Sequence, residues 1–183
     1  MNRKRLSLRY YGDPVLRKKA DPIAASQAEI KELVEGMFDC MYREAGVGLA
    51  APHVGVSSRV FVVDVTDGED VRTKRAFVNP VIVERSGTIV GEEGCLSIPG
   101  IRSDVKRAAR ITVEAADENG APFRLAAEGL LSRAIQHETD HLDGVLFIDR
   151  LSAIKRKLLE GRLKRVRPPA EGSAQPSRTT PSL

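Results

Sequence analysis

A chain of 183 residues, 42% hydrophobic and 30% charged, is long enough for one domain around one sizeable core and cramped for two. No apolar run approaches the ~18 residues of a membrane span. The basic start, residues 1–5, is followed by no apolar segment, so neither an anchor nor a secretory leader is expected. Two cysteines, Cys40 and Cys95, are too few for a disulfide framework. That favours a reducing cytoplasm, where a cysteine that shares a chain with His and Glu motifs is more often a ligand or nucleophile. The net charge of +4 is uneven: residues 152–167 carry +6 and residues 1–151 carry −2.

In chain order, residues 26–44 read as a helix. Ser26 and Glu29 fit a capping box. Ile30, Leu33, Val34, Met37, Phe38 and Met41 then form one apolar stripe, and Gly46 ends the helix. Cys40 falls inside it as a small core residue. Residues 59–65 are β-branched and apolar, a buried strand. Residues 76–84 are extended, with Pro80 marking an edge or a bend. Residues 110–116 and 122–127 flank Asp117-Glu118-Asn119-Gly120 and make a hairpin, with Asn119-Gly120 supplying positive φ angles. Residues 128–142 and 152–166 read as helices, the second strongly basic. From Pro168 the composition is that of a disordered tail. The class is α+β with mainly antiparallel strands. The expected organisation is one catalytic domain over residues 1–167 and a tail over 168–183.

The chemistry sits in His137-Glu138-Thr139-Asp140-His141. On a helix, positions i and i+4 share a face, so both imidazoles reach one ion. Glu138 stands beside that ion, where it can take a proton from a metal-bound water. A third ligand is needed. Phe147 stands where the extended metzincin pattern requires a histidine, and Glu160 lies in a solvated basic stretch. Cys95 remains, in Gly91-Glu92-Glu93-Gly94-Cys95-Leu96-Ser97. A Cys/His/His set with one open position is a catalytic pattern, and it suits zinc and ferrous iron alike. A third segment, residues 46–53, places small residues where a substrate backbone could lie close.

These three segments resemble those of the peptide deformylase family: Gly46-Val47-Gly48-Leu49-Ala50-Ala51-Pro52-His53 for G-x-G-x-A-A-x-Q, Glu93-Gly94-Cys95-Leu96-Ser97 for E-G-C-L-S, and Gln136-His137-Glu138-Thr139-Asp140-His141 for Q-H-E-x-D-H. They occur in the family's order, and the resemblance runs from about Gly12 to Leu151. It implies an α+β fold with antiparallel sheets packed around a central H-E-x-x-H helix, followed by a C-terminal helix. It implies hydrolysis of the formyl group from N-formylmethionyl peptides, releasing formate. The metal would be Fe(2+), with Zn(2+), Ni(2+) or Co(2+) as substitutes, held by Cys95, His137 and His141. Glu138 would be the general acid/base, and the Leu96 N–H would stabilise the oxyanion. Val47, Gly48, Glu93 and Gly94 would border a groove in which the peptide lies as an added strand.

One position departs from the pattern. His53 stands where the family has a glutamine whose amide helps form the oxyanion hole. A neutral imidazole donates only one N–H. His53 could substitute as donor, weaken the activity, or mark a different formylated or acylated amine as substrate; its approach to the metal itself is not expected, because it would close the open coordination position. The alternatives are an inactive ribosome-associated paralogue and a general endoprotease. The former is disfavoured because every ligand and the base are present; the latter is disfavoured by the cysteine ligand and short chain. The basic helix is a candidate ribosome contact or simply a solvated face. No membrane partner and no specific DNA contact is expected.

Overall fold

The computed structural model describes residues 5–66 and 74–166; the expectation of a disordered tail lies outside the described residues. Helix α1 spans Gln27–Arg43. The Ser26 hydroxyl accepts from the Glu29 N–H, and the Ser26 N–H donates to the Glu29 carboxylate at 2.9 Å. The capping box is therefore complete, and it holds that carboxyl below its usual range, chiefly through the Ser26 hydroxyl. The expected stripe buries Val34, Met37, Phe38 and Met41, together with Cys40.

The helix terminus differs from expectation. Ala45, not Gly46, takes the left-handed conformation, with φ of 52°. Gly46 is required for space: a Cβ there would stand 2.8 Å from Leu96 Cδ1.

Five strands form one antiparallel sheet in the order β1-β2-β3-β6-β7: Gly48–Ala50, Val60–Val63, Arg75–Ser86, Arg110–Ala116 and Pro122–Glu128. A separate hairpin pairs β4, Ile89–Cys95, with β5, Ile98–Arg107. Helices α2, Gly129–Leu142, and α3, Ala153–Leu163, follow. This is the α+β architecture that the patterning predicts. Three strands escape that patterning. β1 has only three residues. β4 and β5 are broken by glycines and charged residues, so neither shows clean alternation.

One detail is narrowed and one corrected. Of the two roles expected for Pro80, it marks a bend: β3 is the middle strand, and its ladder with β6 shifts register between Val78 and Val81. Asn79 there has φ of 50°. In the β6–β7 hairpin, only Gly120 has positive φ, at 79°. The turn is held by the Asp117 carboxylate, which accepts from the Asn119 and Ala121 N–H groups at 2.8 Å each.

Helix α2 is buried without interruption from Ser132 to Leu142. Ala134, Ile135 and Leu142 pack with Phe61, Phe77, Ile111 and Val113 of the main sheet. Burying each large aliphatic or aromatic side chain contributes about 1.5–3 kcal/mol. The helix carrying the chemistry is thus fixed by the sheet beneath it.

Candidate metal centre

Helical spacing puts His137 and His141 on one face of α2, and their Nε2 atoms stand 3.0 Å apart. Cys95 ends β4 and points at them: its Sγ lies 3.5 Å from His141 Nε2. Leu96 and Ser97 make the two-residue turn between β4 and β5. Backbone N–H groups of Ser97 and Ile98 draw the thiol pKa down, but burial dominates and pushes it well above the usual value. A thiol in that position needs a cation to become a thiolate.

Glu93 shares a face of β4 with Cys95, two residues away. It is fully buried. Its carboxylate accepts from Arg107 Nε at 2.9 Å, from a terminal Arg107 nitrogen at 2.8 Å and from Arg133 at 3.1 Å. It also meets His137 Nδ1 at 3.0 Å. Burial alone would raise its pKa, but the hydrogen bonds from Arg107 and His137 overcome that and hold it at about 2. An ionised carboxylate only accepts, so His137 Nδ1 carries the hydrogen and Nε2 is left to face an ion. With its side chain so committed, Glu93 has only its backbone to offer a substrate.

Asp140 extends this network through Arg107, which it shares with Glu93. It accepts from Arg107 at 2.5 Å and from Arg150 at 2.5 Å. Gln136 fastens the same helix to the connection after β5, donating to the Ala108 carbonyl at 3.0 Å and accepting from the Ala108 N–H at 3.1 Å. Arg107, Arg133 and Arg150 were not among the residues expected from sequence. No local pattern distinguishes them there from other arginines; only the fold brings them to Glu93 and Asp140.

Glu138 is fully buried, and neither carboxylate oxygen has a hydrogen-bond partner among the described residues. Burial pushes its pKa well up, against the opposing pull of the Ala50 backbone and Arg107. Its carboxyl lies against Gly48. Gly48 alone of the expected groove residues is seen against Glu138; Gly94 precedes Cys95 and its Cβ position faces Arg102, and the Val47 side chain is buried in the core with its carbonyl accepting from the Asp64 N–H at 2.9 Å.

His53 lies in a 3₁₀ turn, Ala51–Val54, and is fully buried. Its ring meets the His141 ring edge-on, with centroids 4.0 Å apart. Burial, aided by His137, lowers its pKa to about 3, so the imidazole is neutral at physiological pH. The excluded alternatives behave as expected. Phe147 is a core side chain stacked near His137, and exposed Glu160 pairs with Lys164 at 2.7 Å.

The donor chemistry fits a divalent metal. Cys95 Sγ and His137 Nε2 each approach His141 Nε2, one imidazole is oriented by a carboxylate, and the His141 pKa is kept well below its usual value, mainly by burial.

The polypeptide deformylase family model matches residues 6–157. A peptide deformylase of Acidobacterium capsulatum is 47% identical over 156 residues, covering 85% of this chain and 92% of its own length. Peptide deformylase 1 of Clostridium perfringens is 53% identical over 143 residues, covering 78% of this chain and 95% of its own. Among solved structures, a peptide deformylase from Legionella pneumophila aligns with a TM-score of 0.81 at 43% identity, covering 87% of this chain and 93% of its own. The Synechococcus elongatus enzyme, solved in complex with actinonin, aligns at 0.81 with 39% identity, covering 88% and 90%. The extent of these matches and the fold they share show that this chain belongs to the polypeptide deformylase family.

Proposed function

We propose that this chain hydrolyses the N-formyl amide of N-formylmethionyl peptides, with Cys95, His137 and His141 holding one divalent metal ion and Glu138 as general acid/base. The observation that carries the reading is the convergence of Sγ and two Nε2 atoms beside a buried, unpartnered carboxyl. A bound ion supplies Lewis acidity and makes a water nucleophilic near neutral pH. Ferrous iron is the proposed native metal, and the thiolate–imidazole set also suits zinc, nickel and cobalt.

Glu138 takes the proton of the attacking water and returns it to the departing amine, cleaving the formyl C–N bond and releasing formate. The high pKa of this carboxyl suits the proton-bearing half of that cycle. The Leu96 N–H, at the tip of the β4–β5 turn, is the proposed oxyanion donor. His53 stands in place of the family's glutamine amide and offers at most one N–H. The peptide would add along β1, which is the edge strand of the five-stranded sheet. Gly48, Gly94 and the backbones of Val47 and Glu93 would border it.

The test is formate release from a formyl-Met peptide by anaerobically iron-loaded protein. Formate is expected, and its absence would sink the proposal. His53 also favours a second reading, the same chemistry on a different acylated amine. A His53→Gln variant that gains nothing on formyl-Met peptide would leave that reading with no support.

The basic helix α3 is the proposed ribosome contact. Lys155, Arg156 and Lys157 are exposed beside Ile154 and Leu158, which are 76% and 77% exposed. Ribosome cosedimentation that survives deletion of residues 152–183 would remove that role. Among the described residues no helix is long and apolar enough to cross a membrane. Cys40 and Cys95 are both free thiols, which suits the proposed cytoplasmic setting.

A further inference from the structure

We propose that His53 is a fourth protein ligand to the metal ion in the substrate-free enzyme, completing a Cys/His/His/His set with Cys95, His137 and His141; this rests on the metal-centre reading above. His53, Cys95 and His141 each offer a donor atom, and the three atoms lie within 4.8 Å of one another. Donors sharing one ion through bonds of about 2.0–2.3 Å are at most ~4.6 Å apart, so a small rotation brings all of them into one shell.

The imidazole has no other employment. It is fully buried, and neither Nδ1 nor Nε2 has a hydrogen-bond partner among the described residues. A buried polar group in that state destabilises the fold. Donation to a bound substrate relieves the cost only while substrate is present. A cation relieves it in the free enzyme.

The backbone holds the ring in place. The Arg9 N–H donates to the His53 carbonyl at 2.7 Å. Gly55 closes the turn at φ of 84°, where a Cβ would stand 2.8 Å from Arg9 Nε. A glutamine amide at position 53 would be a weaker ligand and a better hydrogen-bond donor. The histidine therefore exchanges part of the oxyanion hole for a firmer hold on the ion. Substrate must displace His53 to reach the metal, and the ring is then free to donate its N–H.

The chain has only three histidines, and all three are at this site. Full-length protein labelled with nitrogen-15 histidine and loaded with cadmium-113 therefore reports the ligand count directly. Metal coupling is expected on a nitrogen of every imidazole, and the His53 signal is identified by its loss in His53→Gln. An uncoupled His53 beside coupled His137 and His141 overturns this proposal and leaves the three-ligand reading intact. A coupled His53 with an uncoupled His137 makes His53 a third ligand and overturns both the four-ligand set and the three-ligand reading. No coupling on any ring overturns both. Zinc release to a chelator should also be at least tenfold faster from His53→Gln than from the native chain. Equal rates would overturn the proposal even if the variant's spectra were poor.

Discussion

Gly48 leaves the space that the Glu138 carboxyl occupies. A Cβ at position 48 would stand 2.5 Å from Glu138 Oε1 and 3.0 Å from its Cδ and Cγ. No real Cβ contact is that short, so even alanine must push the carboxyl aside. Misplacing a reacting group by about 1 Å can cost 10²-fold. Gly48→Ala is expected to lower kcat for formate release about 10²-fold while zinc content and the thermal transition stay close to native. A variant of normal kcat would show that this contact does not position the base.

Removing the base itself tests its role more directly. Glu138→Gln keeps the shape and deletes the proton-carrying function. General acid–base catalysis is worth about 10²–10⁴ in rate. A loss in that range is expected in kcat, with metal stoichiometry unchanged. Metal loss in step with activity would instead make Glu138 a structural support of the centre.

Glu93 is expected to act through His137. Groups that orient a ligating histidine typically carry 10–100-fold in metal affinity. Glu93→Gln should weaken zinc binding by about that factor in a chelator competition. It should also lower stability against denaturant, because Arg107 and Arg133 lose a buried counter-charge. Native zinc affinity in a destabilised variant would confine Glu93 to folding.

Acid should release an ion pair outside the proposed ligand set. Asp149 pairs with Arg17 and accepts from the Leu146 N–H at 2.8 Å. Burial raises its pKa, but the Arg17 hydrogen bond and the Leu146 N–H outweigh burial and leave it lowered. A carboxyl whose folded pKa is depressed stabilises the fold above its unfolded value of ~3.9 and loses that contribution as pH falls through the folded value. Asp149→Asn should therefore cost about 1 kcal/mol near neutral pH, after allowing for solvent screening of a partly exposed pair. The gap from native should narrow below about pH 4. A gap that persists unchanged at pH 2 would show the loss is not electrostatic.

Much of this was legible in the residues. The capping box and apolar stripe placed α1, and the i, i+4 histidines placed two ligands on one face. Cys95 was reached by eliminating Phe147 and Glu160 and by its family motif, and the fold brings its Sγ to 3.5 Å from His141. What escaped was non-local. The β4–β5 hairpin lacks strand patterning because its inward positions serve the centre: Glu93 and Cys95 occupy places where a strand would bury aliphatics. Arg107 and Arg133 look like ordinary surface arginines until β5 and α2 are set side by side. His53 could be flagged as a departure, but its approach to His141 depends on where the 3₁₀ turn lands against α2.

The alternation of β4 also determines which length changes the gene can tolerate. Glu93 and Cys95 face the same way because one residue separates them, and the ladder with β5 already shifts register between them. One inserted or deleted codon there would turn either the thiol or the carboxylate outward. The same edit one turn earlier, in the exposed start of β4, would only lengthen or shorten a hairpin arm. Drift in length should therefore be excluded from β4 beyond Gly91, which packs against Arg133, and from the end of β5, where Arg107 holds Glu93 and Asp140.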